Sequence, residues 1–550
     1  MKKTALLTLC LLVTIAVQAK IEKINGSKLN EGTTLAGVIT DAKTGKGIKG
    51  VPVTDGYSFT VTDNHGVYQM TADPRARTVS YTTPANYKTA QDSTGGPAFF
   101  ARLDREASFN RFDFTLEKLP DIENNFTIIA LADPQCQSDY DVERFRSETI
   151  PDLQATVSDA VAAGEKVYAV GLGDIVFDNL ALWEPMHDSF RSISADGISV
   201  PIYNVPGNHD HSNKTDNDYD ATGNFIHWIG PTDYSLDRGK VHLVFMDDVV
   251  FLHNNPENSK RFTNCTYASG FSDEQLEWLR QDLSLVEDKE EKMVLLCTHI
   301  PFRQGGKDDS GSSVNYNKHY SDVLTLLTQF RNAQIFIGHT HYPQYYSHKD
   351  YVCRSGQPVA EQVHGAVCGA WWHANICVDG TPNGYAVYKV SGSEIVDMYG
   401  KFTGLDKGVQ MRVYDGNQVY TGNKGLSYEW EPDLKKCFIA TVWYAEPENW
   451  TVEFIQNGKV YPMTYVDRYQ RDWLAYSTLI NQAGRSVTNK SYMAERPHFW
   501  YIESYSGEPS AEKHWQIRAT HTIPSSGETH VYTCDSLTTD YDGLWDSWMK

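Results

Sequence analysis

After residue 19 the chain has no apolar run of the ~20 residues needed to span a bilayer, which excludes a helical membrane span in its body. No two cysteines stand at CxxC spacing, so a zinc knuckle is not expected and the thiols are not read as metal donors. Basic residues are outnumbered and form no stripe: 49 Lys plus Arg face 70 Asp plus Glu, a formal net charge of -21. Nucleic-acid polymers bind largely through phosphate neutralisation by Lys and Arg, so such a partner is not expected. There is no internal repeat and no low-complexity tract, so the chain divides by texture rather than by period.

The 550 residues should form about three or four pieces at roughly 150 residues each. Residues 1–19 read as a signal peptide, with Lys2 and Lys3, an apolar run from Ala5 to Val17, and small residues at Val17-Gln18-Ala19. Cleavage would start the mature protein near Lys20 and export it, to the periplasm, the cell surface or the medium. A transmembrane anchor fits less well because the run is short. A lipoprotein signal fits less well because Cys10 lies mid-run after Leu9. Eight cysteines follow Cys10, an even number that permits disulfides without assigning them. Cys297, inside the apolar run Met293 to Cys297, reads as a buried thiol, and Cys353, Cys368 and Cys377 are the better candidates for pairing.

Three textures follow one another. From 34 to 119, short apolar runs alternate with turn signals, as in Gly50-Val-Pro-Val-Thr-Asp-Gly56, which predicts a small β-sandwich. That pattern resembles the carboxypeptidase-regulatory-like modules placed ahead of exported enzymes, and it is read as a spacer or docking module. From 121 to 398, apolar strands alternate with amphipathic helices, an α/β pattern. Strands are expected at Phe126 to Leu131, Lys166 to Val170, Ile202 to Val205, Met293 to Cys297 and Gln334 to Ile337. Ser272-Asp-Glu-Gln275 is a capping box with Phe271 and Leu276 as its staple, opening a helix whose stripe is Leu276, Leu279 and Leu283. A second helix shows Val323, Leu326, Leu327 and Phe330 on one face. From 405 to 550, aromatic strand patterns such as Phe438 to Tyr444 predict a second β-sandwich.

Each expected strand of the middle region runs into a polar turn, where open α/β sheets place their ligands. The turns read Asp133-Pro-Gln135, Gly173-Asp174, Gly207-Asn208-His209-Asp210, His299, and Gly338-His339-Thr-His341. Carboxylate, imidazole and amide oxygen without thiolate suit first-row divalent metals rather than a closed structural zinc site. Each turn alone is weak, since Gly-Asp is usually just a turn and a lone His-x-His is more often exposed or hydrogen-bonded.

In this order on strand ends, the turns resemble the signature of the calcineurin-like metallophosphoesterases, most specifically at Gly207-Asn-His-Asp210. The flanking segments are similar to exported bacterial members with β domains on both sides. The resemblance covers roughly half of the chain. It implies a central αββα sandwich and two divalent ions drawn from Mn, Zn, Fe or Mg. One ion would be held by Asp133, Gln135, Asp174 and His341. The other would be held by Asp174, Asn208, His299 and His339, with Asp174 bridging. Two such ions, against Asp133, Asp174 and a bridging hydroxide, leave about one net positive charge for a phosphate. His209 would protonate the leaving oxygen or hold the phosphoryl group, and Asp210 would orient it. His211 is expected to be a solvated neighbour, and Asp178 a cap or supporting group rather than a ligand. Gln135 departs from the commonest His; its neutral, harder and weaker oxygen favours Mn or Mg over Zn.

Gly369-Ala-Trp371-Trp372-His373 and Asp379-Gly-Thr-Pro-Asn-Gly-Tyr385 look like the family's substrate-side loop, where either tryptophan stacks on a ring or covers the core. The expected reaction is hydrolysis of a small phosphate ester. One alternative is a phosphodiesterase acting on nucleotides or glycerophospho headgroups. Another, of a different class, is an inactive surface glycan-binding protein, which the 32 tyrosines and β domains would suit. Every ligand position nevertheless holds a competent donor.

Overall fold

The computed structural model describes residues 22–538, except 196–197, 252–266, 303–318, 370–373, 418–419, 422–426, 429, 431, 467–470, 479–497 and 505–507. The expected signal peptide, Cys265, Trp371 and Trp372 lie outside the described residues.

The two main sheets in the middle of the chain are built from β1 Asn125–Leu131, β2 Val167–Leu172, β3 Ile202–Val205, β4 Tyr234–Arg238, β5 Val241–Phe245, β6 Met293–Cys297, β7 Asn332–Ile337, β8 Gln344–Val352, β9 Pro358–Val363, β10 Gly384–Ser391 and β11 Glu394–Phe402. They are ordered β3-β2-β1-β10-β11 and β4-β5-β6-β7-β9-β8. Strands β3, β2 and β1 pair in parallel, as do β5, β6, β7 and β9. Parallel strands point the same way, so their carboxyl ends reach one rim of each sheet.

Alternation along each strand decides the layering. Ile128, Ala130, Val170, Leu172, Leu243, Phe245, Leu295 and Phe336 meet between the two sheets. The opposite faces need cover. Ile129, Leu131 and Ala169 lie under the helices α1 Ile150–Ala162 and α2 Trp183–Arg191. On the other sheet, Val294, Leu296, Ile335 and Ile337 lie under α3 Asp273–Ser284 and α4 Tyr320–Leu327. The expected αββα sandwich is therefore present.

Helix α3 starts where its capping box requires: Gln275 N donates to Ser272 Oγ (3.1 Å) and Ser272 N donates to Gln275 Oε1 (2.9 Å). Its stripe of Leu276, Leu279 and Leu283 is buried, each worth about 1.5–3 kcal/mol. Leu279→Ala would cost about 2–5 kcal/mol. In α4 the buried positions are Tyr320, Val323, Leu324 and Leu327. Leu324 thus takes the place expected of Leu326, and Phe330 packs from beyond the helix end.

Before the sandwich, two small sheets stack around Leu35, Val53, Tyr68 and Val79, whose core is continuous with that of the sandwich. Trp278 of α3 donates to Thr54 Oγ1 (3.0 Å), fastening this β region onto the helix. After it, sheets ordered Met411–Asp415, Cys437–Val442, Phe499–Glu503, Thr464–Tyr465 and Lys459–Pro462, Trp450–Gln456, Trp515–Thr522, Thr529–Cys534 enclose Val413, Phe438, Phe454 and Trp515. No helix among the described residues is long and apolar enough to cross a membrane.

Candidate metal centre

The five expected turns all lie on one rim. Within the first sheet, Asp133 N donates to Gly173 O (3.3 Å) and Gln135 N to Asp174 O (2.8 Å). In the second, Gly338 N donates to His299 O (3.2 Å). Across the gap, His339 N donates to both Asp133 oxygens at 3.0 Å, so the two sheets are pinned together at the site. Two glycines make this approach possible. A Cβ on Gly207 would fall 2.2 Å from Asp174 N and Oδ1, and one on Gly338 would fall 2.7 Å from Asp133 Oδ2.

The backbone is strained here. Asp133, Gln135, Asp174, His339 and His341 have φ between 45° and 71°, a region that L-residues adopt at a cost of about 1–3 kcal/mol each when the surroundings force it. In that conformation the short turns turn their side chains together. The facing atoms of Asp174, His299 and His339, and those of Asp133, Asp174 and His341, lie within 4.8 Å of one another. Asp174 belongs to both groups.

The donors fit a cation on chemical grounds. His299 Nδ1 donates to Leu172 O (2.7 Å), which turns Nε2 toward the other donors, the orientation of a metal-ligating imidazole. Without an ion, burial opposes charging of His299, but Asp174 and Asp133 outweigh it and raise its pKa to about 10. Around Nε2 stand Asn208 Oδ1 at 3.1 Å, His339 Nδ1 at 3.3 Å and Asp174 Oδ2 at 3.4 Å. Asn208 Oδ1 also lies 2.9 Å from His339 Nδ1. In the other group, His341 Nε2 is 3.6 Å from Asp133 Oδ1, and Gln135 Nε2 donates to Asp174 Oδ2 (2.6 Å). Gln135 Oε1 is buried with no hydrogen-bond partner, an arrangement that is costly unless a cation answers it.

Burial and mutual charge set the protonation. Burial pushes the Asp133 carboxyl up, helped by the charge of Asp174. Burial also opposes ionisation of Asp174, but His299 and His209 outweigh it and hold that carboxyl down. Burial lowers His339, and lowers His341 to about 3, so both imidazoles are neutral, the form that ligates metals.

His209 stands beside these groups, its backbone N donating to Asp174 Oδ1 (2.8 Å) and its ring stacked on Phe177 at 3.8 Å between centroids. The expected pairing with Asp210 is corrected here. Asp210 is buried and its oxygens accept from the backbone N–H of Ile175, Val176 and Gly207 at 2.9–3.1 Å. The carboxylate facing His209 is that of Asp178, 3.3 Å from Nδ1. Asp210 therefore fastens the turn while Asp178 addresses the ring, and burial of His209 is overcome by Asp174 and Asp178, which raise its pKa.

His211, expected in solvent, is buried. Its Nδ1 donates to Gly207 O (2.8 Å) and its Nε2 lies 3.2 Å from Asp247 Oδ2. Asp248 escaped the sequence reading altogether. Its carboxylate accepts from His299 N (3.0 Å), Ile300 N (3.1 Å) and Tyr320 Oη (2.9 Å) and so fixes the His299 turn. The available signal was the acidic pair Asp247-Asp248 just past the end of β5, on the same rim. Cys353, Cys368 and Cys377 are free thiols rather than bridge partners, and Cys297 is a buried free thiol as expected.

A model of calcineurin-like phosphoesterases matches residues 126–343, a model of their N-terminal part matches 24–119, and one of their C-terminal part matches 361–524. No curated protein matches the chain. Among solved structures, the purple acid phosphatase PPD1 of yellow lupin (Lupinus luteus) seeds is 11% identical, over 64% of this chain and 66% of that one, with a TM-score of 0.35. PhoD is 12% identical, over 64% and 78%, with a TM-score of 0.34. The NAD nucleotidase of Haemophilus influenzae is 9% identical, over 57% and 54%, with a TM-score of 0.28. The chain thus spans about two thirds of the first of these structures. With all three family models matching in order along it, the chain belongs to the calcineurin-like phosphoesterase family of phosphoric ester hydrolases.

Proposed function

We propose that this protein hydrolyses small phosphate esters outside the cytoplasm, with two divalent ions held on either side of Asp174. The observation that carries the reading is the sharing of Asp174 between two groups of electron-pair donors at one rim. Asp133, Gln135, Asp174 and His341 would hold one ion; Asp174, Asn208, His299 and His339 would hold the other. Such ions supply an activated water and positive charge for the phosphoryl oxygens.

The chain's own residues do the rest. Leu172 O keeps the His299 proton on Nδ1, and Asp133 holds the His339 turn through its backbone N–H. Asp178 holds a proton on His209 Nδ1, directing the opposite nitrogen to the leaving oxygen, which it protonates as the ester bond breaks. Phe177 keeps that ring from turning away. Asp210 keeps the turns after β2 and β3 in register by accepting N–H groups from both.

The test is hydrolysis of p-nitrophenyl phosphate and bis-p-nitrophenyl phosphate by the metal-reconstituted protein, by Asp174→Asn and by His209→Ala. Turnover by the wild type, lost in both variants, supports the reading, and the preferred substrate separates monoesterase from diesterase. An inactive wild type after reconstitution with Mn, Zn, Fe and Mg would move the glycan-binding alternative to the front. Export is checked by N-terminal sequencing of secreted protein, with Lys20 as the expected first residue.

A further inference from the structure

We infer that His498 of the C-terminal β region is a positioning residue for the metal centre, holding the segment that carries His341. This rests on the two-ion reading above.

His341 has a φ of 68° and cannot keep that conformation unaided. Among the ties on this segment, two carbonyls are held by residues distant in the chain. His341 O accepts from Ala366 N (3.1 Å), and Pro343 O accepts from His498 Nε2 (2.8 Å). The second tie crosses from a different part of the molecule. His498 is buried at 1% exposure, with a φ of 51°, and immediately precedes the strand Phe499–Glu503. Its Nδ1 faces Ala445 O at 3.2 Å. The remaining neighbours are the carboxylates of Asp379 (3.6 Å from Nε2) and Glu446 (3.4 Å from Nδ1). Nε2 donates to Pro343 O, and the acceptors around both nitrogens hold the ring in one orientation.

The same region grips the next segment. Arg412 donates to Gly380 O (2.5 Å), and the Asp472 carboxylate lies so close to Gly380 that a Cβ there would fall 2.4 Å from its Cγ. Ala366, Ala374, Ile376 and Cys377 share one apolar cluster with Tyr414 and Ile439. Ala366, which holds His341 O, and Pro343, which follows it, are thus both set by the C-terminal sheets. Were His498 only a strut for domain docking, its loss would lower stability and leave the ions alone.

The experiment uses the full chain reconstituted with Mn2+. It measures the Mn2+ dissociation constant by competition with a fluorescent chelator, kcat and KM on bis-p-nitrophenyl phosphate, and Tm. The variants are His498→Ala, His498→Gln, which keeps an N–H donor, and Val413→Ala in the core between the C-terminal sheets. His498→Ala should weaken the ion held with His341 about 10-fold or more, in the range seen when groups behind metal ligands are removed. It should lower kcat more than it changes KM, and His498→Gln should recover part of both. Val413→Ala should lower Tm while leaving the Mn2+ constant within about twofold. The inference is overturned if both His498 variants bind Mn2+ within twofold of wild type, or if Val413→Ala weakens it as much. Should His498→Ala fail to fold, His498→Gln decides by the same criterion. A wild type that takes up no Mn2+ refutes the metal reading itself and this inference with it; a loaded wild type with loaded variants refutes only the role of His498.

Discussion

Two ends of the same sandwich treat buried histidines in opposite ways. At the base, His242 at the start of β5 has Asp237 Oδ1 at 2.7 Å from Nδ1 and Asp282 Oδ2 at 2.8 Å from Nε2. Ser235 Oγ completes the second carboxylate at 2.7 Å. Around this ring donors and acceptors are matched, and the backbone of these residues is unstrained. At the rim, His299 Nε2 and His339 Nδ1 converge on the single Asn208 Oδ1, at 3.1 and 2.9 Å, and Gln135 Oε1 has no partner. Six of the thirteen non-glycine residues with positive φ among the described residues are Asp133, Gln135, Asp174, Asp178, His339 and His341. The base is organised for stability. The rim gathers strained backbone and an unanswered buried oxygen in one place, each of which costs stability unless a ligand answers it.

The difference is broken most completely by Asp174→Asn. This should reduce turnover to background, because both donor groups lose their shared carboxylate. Wild-type rates in that variant would sink the shared-ligand account. Next comes His209→Ala, expected to lower kcat by ~10²–10⁴-fold with metal content unchanged; loss of metal instead would make His209 a structural support. Asp178→Asn should cost ~10–100-fold and displace the pH profile of kcat. If Asp178→Asn is silent and Asp210→Asn carries that effect, the pairing seen here is wrong.

The smallest effect on turnover belongs to the base. His242→Ala should remove about 3–5 kcal/mol of stability by leaving buried carboxylates unpaired, yet leave kcat of the folded protein unchanged. Burial opposes charging of His242, but the charge of Asp282 and hydrogen bonds to Asp237 and Asp282 win and raise it from 6.5 to about 10. Its stabilisation is therefore complete below pH 6.5 and lost as pH rises through about 10. Thermal melts between pH 6 and 10 should show a decline in the wild type that His242→Ala lacks.

Much of this contrast was legible in the sequence. The runs ending at Leu131, Val205, Cys297 and Ile337 are apolar and β-rich, each followed by a polar turn, so both strand and loop residues could be placed. Ser272 and Gln275 announced α3 because capping is local chemistry. The partner of His209 was not legible. Asp210 is adjacent in sequence, but its carboxylate is captured by N–H groups of the preceding strand's turn. Asp178 reaches the ring because its own backbone N–H donates to His209 O (3.3 Å) across two loops. His211 looked exposed for a similar reason: nothing near it in the chain foretells that Asp247 will cover it. Leu324 displaced Leu326 because the packing angle of α4, not its period alone, selects the buried face.

The most direct test of the two-ion centre is metal stoichiometry of the reconstituted full chain by mass spectrometry, comparing wild type with His299→Ala, His341→Ala and Asp174→Ala. The account predicts about two ions per wild-type chain, about one in each histidine variant and fewer still in Asp174→Ala. A wild type that holds no more than one ion after reconstitution, or histidine variants that keep the full complement, would contradict it.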